Sequence, residues 1–452
     1  MTLGRHPQPP YANVRVSRDA YPAHSEPMLA EDPNNPLHLV GGSKFFTDPA
    51  HYVFQIGSFA SFDGGCTWVD NGVLPGFPKN IVTSDVSFAF GDHSTVYACV
   101  LYTAIKGNLS GISVSASTDG GKTFGSPVSV FEDKTGRIFN DKPWITVDQT
   151  TRSHHGSLYV FWSYDHGKSC GGAGFCQQEL GFSRSMDGGK TFSRVRLIEG
   201  AAPFCTDPVP GRSTHSTACD EALGAIPVVE LDGTLAVVFS YSSPVPSNIP
   251  TRMVVVTSSD EGGTWTFPVL AATIRDIGGT FPHEKYRVGS LPAFASDPKT
   301  GQLYLVWADK GLHDADILLS TSKDRGHTWS RPVRVNDDPT ANGANQFQPQ
   351  LAVAPNGVVN VSFFDTRVDP QHLLIDVYVA QSRDHGASFL KNVRVTTQSW
   401  NPIVGAPTDF NGLQFIGDYQ GLSADAHFVH PFWNDTRTGR QEIFTAAVPS
   451  SQ

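Results

Sequence analysis

Four carboxylates stand in closely similar settings along the chain: Glu26 in SEPM, Asp85 in SDVS, Asp141 in NDKPW and Asp418 in GDYQGL, each leading into an apolar, strand-like run. Carboxylates that converge raise one another's pKa, which suits proton transfer, or they hold a cation such as Ca²⁺. A second set pairs Asp with Arg two residues on. DTR spans 365–367, and NDTR spans 434–437, so that Arg367 and Arg437 occupy equivalent places; Arg287 lies in HEKYRVGS. Two readings fit these arginines: ion pairs that tie structural units together, or a basic pocket for an anionic ligand such as a sugar carboxylate. No His or Cys spacing matches a zinc site or a compact calcium loop. His215 and His283 are the histidines to test as acid, base or ligand, whereas His154 and His155 fall in an inter-strand turn expected on the far side.

Residues so far apart can act together only if the fold gathers them. An octet supplies the mechanism. SFDGGCTW (61–68) recurs as STDGGKTF (117–124), SMDGGKTF (185–192), SSDEGGTW (258–265), SKDRGHTW (322–329) and SRDHGASF (382–389). Its Asp stands at 63, 119, 187, 260, 324 and 384. Self-similarity at that period marks repeated supersecondary units. Within each octet Asp is suited to accept backbone N–H bonds, Gly takes positive φ, and the closing aromatic packs back on the hairpin. Strand pairs precede every octet, for example PWITVD with LYVFWSY and PAFASD with LYLVWAD. Four antiparallel strands per unit, six times over, is a β-propeller pattern. A seventh set, QGLSAD, HFVHPFWND and QEIFTAAV, has no octet, and ANVRVSR (12–18) is available as its fourth strand. Seven blades closed by an N-terminal strand are therefore expected, with six blades as the alternative.

The residue just before each innermost strand is then Glu26, Asp85, Lys142, Ile226, Leu291, Gln348 and Tyr419. Blades 1, 2, 3, 6 and 7 place polar groups at the channel mouth, and Gln348 joins the candidate binding residues. The longest insert, 198–224, and the loop of Cys170 and Cys176 run toward the same face, where long loops shape pockets.

Composition narrows the function. The 452 residues carry a net charge of −10, with 43 Gly, 32 Pro and 17% charged residues. Mild acidity argues against nucleic acid and anionic membranes as partners, and no apolar run is long enough to span a bilayer. One domain over 1–452 is expected, with a flexible tail over 1–11, and a monomer. The start lacks the apolar core of a signal peptide. Six Cys, with Cys170 and Cys176, and Cys205 and Cys219, in short loop-like segments, point to small disulfide-closed loops and a secreted or extracytoplasmic protein. Cys66 and Cys99 are expected as buried thiols.

The octets resemble the Asp-box (BNR) repeats of the sialidase superfamily, over essentially the whole chain. That resemblance implies a propeller whose boxes stabilise one face while ligands bind the other. Sialidases hold a substrate carboxylate with three arginines and use a Tyr nucleophile activated by a Glu, with an Asp as acid/base. By resemblance Tyr419 is the nucleophile, Glu284 or Glu221 its base, Asp85 or Asp141 the acid/base, and Arg287, Arg367 and Arg437 the clamp. The chain departs from that pattern at blade 1, where SEPMLAED puts Glu26 in the place of the first clamp arginine. The expected partner is a saccharide or glycoconjugate, and the expected function a glycoside hydrolase acting on an acidic sugar. A non-catalytic glycan- or protein-binding propeller and a uronate-directed lyase are the alternatives. No cofactor is required by these readings; Ca²⁺ at the acidic mouth (Glu26, Asp85, Asp141, Asp418) is the one ion they accommodate.

Overall fold

The computed structural model describes residues 11–450 except 153, 167–176, 199, 206–218, 220 and 243–249. Seven antiparallel sheets form a closed ring, a seven-bladed β-propeller. Blade 1 comprises His24–Asp32, Asn35–Asp48, Val53–Ser61 and Val69–Val73, from the channel outward. Blades 2 to 6 repeat this order, with innermost strands Ile81–Phe90, Ile138–Val147, Ala222–Val229, Ala293–Ser296 and Gln346–Val353. In blade 7, Gly421–Ala424, Phe428–Asp435 and Glu442–Thr445 are completed by Val14–Arg15, with Val14 opposite Thr445 and Arg15 opposite Phe444. The N-terminal strand thus fills the position expected of it. The expected strand over 441–448 divides in two, because Val448–Pro449 returns to pair with Phe428 and Val429. Among the described residues, no helix is long and apolar enough to cross a membrane.

Alternating side chains on each strand put apolar groups on both sheet faces, so the core lies between adjacent blades rather than at one centre. Leu39, Phe59 and Trp68 of blade 1 pack with Phe432 and Ile443 of blade 7, and Tyr159 and Phe182 of blade 3 with Val237 and Val254 of blade 4.

The octets do more than close their own hairpins. Ser61 Oγ donates to Asp63 Oδ1 (2.9 Å) and accepts from Gly65 N (2.9 Å). Asp63 in turn accepts from Thr67 N (2.8 Å) and Thr67 Oγ1 (2.7 Å). The carboxylate therefore reaches four residues on, to the Thr at the far side of the turn. The second Gly of the motif abuts the preceding blade. A Cβ on Gly121 would stand 2.6 Å from Val40 Cγ2, and one on Gly262 2.3 Å from Phe182 Cε1. The aromatics point the same way: Trp68 meets Phe432 of blade 7 at 5.4 Å, and Trp265 meets Phe161 of blade 3 at 5.8 Å. Each octet thus staples its blade to the one before it.

Cys205 and Cys219 form a disulfide; Cys170 and Cys176 lie outside the described residues. Cys99 is buried as expected, but Cys66 is exposed, because its turn position follows the Gly pair and points outward.

Candidate functional site

The mouth of the channel is shaped by one backbone device used five times. The pairing between the two inner strands skips two residues in blades 1, 2, 3, 4 and 6, after Ser25, Ser84, Asp141, Leu223 and Phe347. The first skipped residue has positive φ in each: Glu26 (53°), Asp85 (52°), Lys142 (47°), Gly224 (67°) and Gln348 (48°). A bulge re-aims its side chain out of the pleat, and left-handed backbone at a non-glycine residue costs of order 1 kcal/mol. Four non-glycine residues accept that cost at one rim. The expected position in blade 4, Ile226, is displaced: Gly224 holds the equivalent place, two residues earlier, because the strand begins at Ala222 and bulges before Ile226.

Two spaces lie there, with Asp85, Lys142 and Asp418 in the walls of both. The outer is a cavity of about 600 Å³ whose wall includes Glu26, Lys44, Asp85, Asp141, Lys142, Arg287 and Asp418. Tyr52 and Phe410 form its aromatic edge, their rings 4.7 Å apart, and Phe410 is 86% exposed. The inner is a throat of about 30 Å³, room for roughly one water, lined by Trp144, Gln348 and Tyr419 together with Asp85, Lys142 and Asp418.

Four carboxylates and three cations interleave in this wall. Asp418 accepts from Arg287 Nε (2.9 Å) and Nη2 (2.7 Å) and from Lys142 Nζ (2.9 Å). Lys142 Nζ also lies 3.7 Å from Asp85 Oδ1, which accepts the Tyr419 hydroxyl at 3.0 Å. Ser84 Oγ donates to the other Asp85 oxygen. Lys44, from the second strand of blade 1, forms a buried ion pair with Glu26, and Glu26 Oε1 accepts from Asp418 N at 3.3 Å. The expected mutual repulsion of the acids is thus met by the protein's own cations.

The environments drive the acids apart. Burial, reinforced by the Asp85 and Asp418 charges, pushes Asp141 up to about 6 against the pull of Lys142. Burial likewise lifts Glu26 to about 7, opposed by Lys44. Lys142 and Arg287 outweigh the burial of Asp418 and hold it far below the usual range. Asp85 is lowered by Lys44 and Lys142 despite its burial. Burial, then the Asp85 charge, pushes the Tyr419 phenol well up. One wall therefore offers a carboxyl that holds its proton near neutrality beside carboxylates that have lost theirs.

Of the sequence candidates, Glu26, Asp85, Asp141, Arg287 and Asp418 meet at the cavity, and Gln348 and Tyr419 at the throat. Glu284 and Glu221 do not join Tyr419, whose hydroxyl goes to Asp85. Glu284 is half-buried and pushed up to about 7 by burial and Asp369, and Glu221 is buried beside Gln178. Arg367 and Arg437 are taken up by the Asp of their own hairpins and by segments of neighbouring blades. Arg367 Nε donates to Asp365 (2.7 Å) and its guanidinium lies 4.5 Å over the Tyr378 ring. Arg437 Nε donates to Asp435 (2.8 Å) and Nη1 to Asn13 (2.8 Å). The three guanidinium groups do not meet. His283 is exposed, and His215 lies outside the described residues. Lys44 and Phe410 escaped the sequence reading. A lone Lys inside the apolar run LHLVGGSKFF was the available signal for the first; the second left none.

One comparison with a solved structure agrees on the fold, and others align less closely. A protein of unknown function from Dyadobacter fermentans aligns with a TM-score of 0.51 at 14% identity, over 84% of this chain and 98% of that one. A leech intramolecular trans-sialidase gives 0.49 at 13% identity, over 85% and 70% of the two chains. A Penicillium chrysogenum α-L-arabinanase gives 0.48 at 14%, over 78% and 92%. No protein-family model and no curated protein matches the chain.

Proposed function

We propose that this propeller is a glycoside hydrolase that draws an acidic sugar into the cavity at the channel mouth. The observation that carries the reading is the split among the cavity's acids: Asp141, held up at about 6, lines the same wall as Asp85, which is ionised and carries the Tyr419 hydroxyl. Two carboxyl groups with separated proton affinities are what glycosidic bond cleavage asks for.

In this reading Asp141 gives its proton to the leaving glycosidic oxygen. Tyr419 Oη attacks the anomeric carbon where the cavity narrows to the throat, and its proton passes to Asp85. The phenol's raised pKa means no phenolate stands ready, so proton transfer and attack proceed together. Water then cleaves the tyrosyl intermediate, giving its proton to Asp141 while Asp85 hands its own back to the departing Tyr419 oxygen. The exposed Phe410 ring offers a sugar face a stacking surface at the entrance, and Lys142 and Arg287 supply the positive charge for an acidic substituent. With Asp141 and Glu26 protonated the wall carries three cations against two carboxylates, so anionic sugars bind best at mildly acidic pH. An oxidising, extracytoplasmic setting belongs to this reading, supported by the Cys205–Cys219 bridge.

The test is release of 4-methylumbelliferone from a panel of sialosides, uronosides and neutral glycosides. Turnover on an acidic member, reduced at least 10²-fold in Asp141→Asn and in Tyr419→Phe, is expected. A second reading, a non-catalytic glycan binder, is favoured by the saturation of Lys142 and Arg287 by Asp418, which leaves their charge already matched. No turnover on any member, with saccharide binding retained in calorimetry, selects it.

A further inference from the structure

A second cluster lies away from the cavity, at the seam where the ring closes. Glu31 comes from the end of the innermost strand of blade 1, Asp425 from the turn between Gly421–Ala424 and Phe428–Asp435 in blade 7, and His430 from the latter strand. One ligand atom from each lies within 4.8 Å of the others. His430 is 1% exposed, yet neither ring nitrogen has a hydrogen-bond partner; Nε2 lies 3.7 Å from Asp425 Oδ2. The buried Oε2 of Glu31 is unpartnered as well. Asp425 is already oriented. Its Oδ1 accepts from His427 N (2.5 Å) and Phe428 N (2.9 Å), which turns Oδ2 toward the imidazole.

A buried imidazole without a partner costs about 1–3 kcal/mol, and an unpaired carboxylate oxygen beside it adds to that. A cation would satisfy all three groups at once. We propose that Glu31, Asp425 and His430 bind a first-row divalent cation that pins blade 7 to blade 1. One imidazole with two carboxylates suits Zn²⁺, Mn²⁺ or Co²⁺, whereas Ca²⁺ takes oxygen ligands alone. With metal–ligand bonds of about 2.0–2.2 Å, neighbouring ligand atoms sit roughly 3–3.5 Å apart. The observed His430–Asp425 separation is near that, and Glu31 closes the remainder by a side-chain shift.

The probe is ZnCl₂ added to EDTA-stripped full-length protein, followed by calorimetry and thermal melts, with CaCl₂ in parallel and Co²⁺ as a spectroscopic reporter. One tight Zn²⁺ site per chain is expected, raising the melting temperature, with Ca²⁺ ineffective. Glu31→Gln and His430→Gln each weaken the site about 100-fold or more, since altering even the groups that orient ligands costs 10–100-fold. Should His430→Gln fail to fold, Glu31→Gln decides. Absence of a stoichiometric site in wild type, or undiminished Zn²⁺ affinity in folded Glu31→Gln, overturns the proposal.

Discussion

Replacing Asp418 by Asn removes the one carboxylate on which two cavity cations depend. Three charge-assisted bonds enter it, two from Arg287 and one from Lys142, at 2.7–2.9 Å. Each such bond is worth about 1.5–3 kcal/mol, and breaking a fully buried pair costs about 3–5 kcal/mol. Water reaches Arg287, whose side chain is 33% exposed, but Lys142, at 12%, has little access to it. Arg287 also keeps a weaker partner in Asp409 at 3.5 Å. The balance is a loss of about 3 kcal/mol at pH 7, read from urea unfolding. The pH dependence supplies a second readout. Asp418 is depressed in the folded state, so its contribution is complete above the unfolded value near 4 and is lost as pH falls below that toward the folded value. Wild type should therefore show an acid-side decline that Asp418→Asn lacks. A loss under about 1 kcal/mol, or parallel acid limbs, would refute the view that this carboxylate holds the site together.

Asp141 is raised in the folded state, to about 6, so its contribution is present below the unfolded value near 4 and disappears as pH rises to about 6. Stability curves of Asp141→Asn should lack that slope, and on the hydrolase reading kcat/KM of wild type should fall above pH 6. Ser185→Ala strips the buried Gly189 N–H of its acceptor, so a loss of about 1–2 kcal/mol is expected with cavity binding unchanged, measured by unfolding and calorimetry. Reducing the Cys205–Cys219 bridge, which closes a 14-residue separation, should cost about 3 kcal/mol, seen as a lower unfolding midpoint in dithiothreitol.

The fold was legible because the octet's work is local. Ser, Asp and Thr bond one another within a single turn, so their spacing survives in the sequence whatever the blades do around them. What the second Gly is for was not legible, since its neighbour belongs to the preceding blade, some 80 residues away in the case of Gly121 and Val40. The rim acids were found through their common position before apolar runs. Their counter-ions were harder. Lys44 reaches Glu26 from a neighbouring strand, and Arg287 reaches Asp418 across 131 residues. Arg367 and Arg437 show the opposite case. Each is held by an Asp two residues back, so that part of the ion-pair reading was local, whereas the contacts that tie them to other segments, Arg367 to Asp337 and Arg437 to Asn13, lie far off in the chain. Blade 4 misled through Ile226, although Gly224 was the residue able to take the left-handed bulge at least cost.

Val14 and Arg15 find their partners only at Thr445 and Phe444. A chain emerging from the ribosome can assemble six sheets while this short segment still waits for the strands of blade 7, between Gly421 and Thr445. Closure thus comes only after the seventh sheet has been made, and until it happens the outer edge of that sheet is open to pairing with another molecule. Deleting a dozen residues past Tyr11 would leave that edge permanently bare, a change felt first as self-association rather than as a lost ligand.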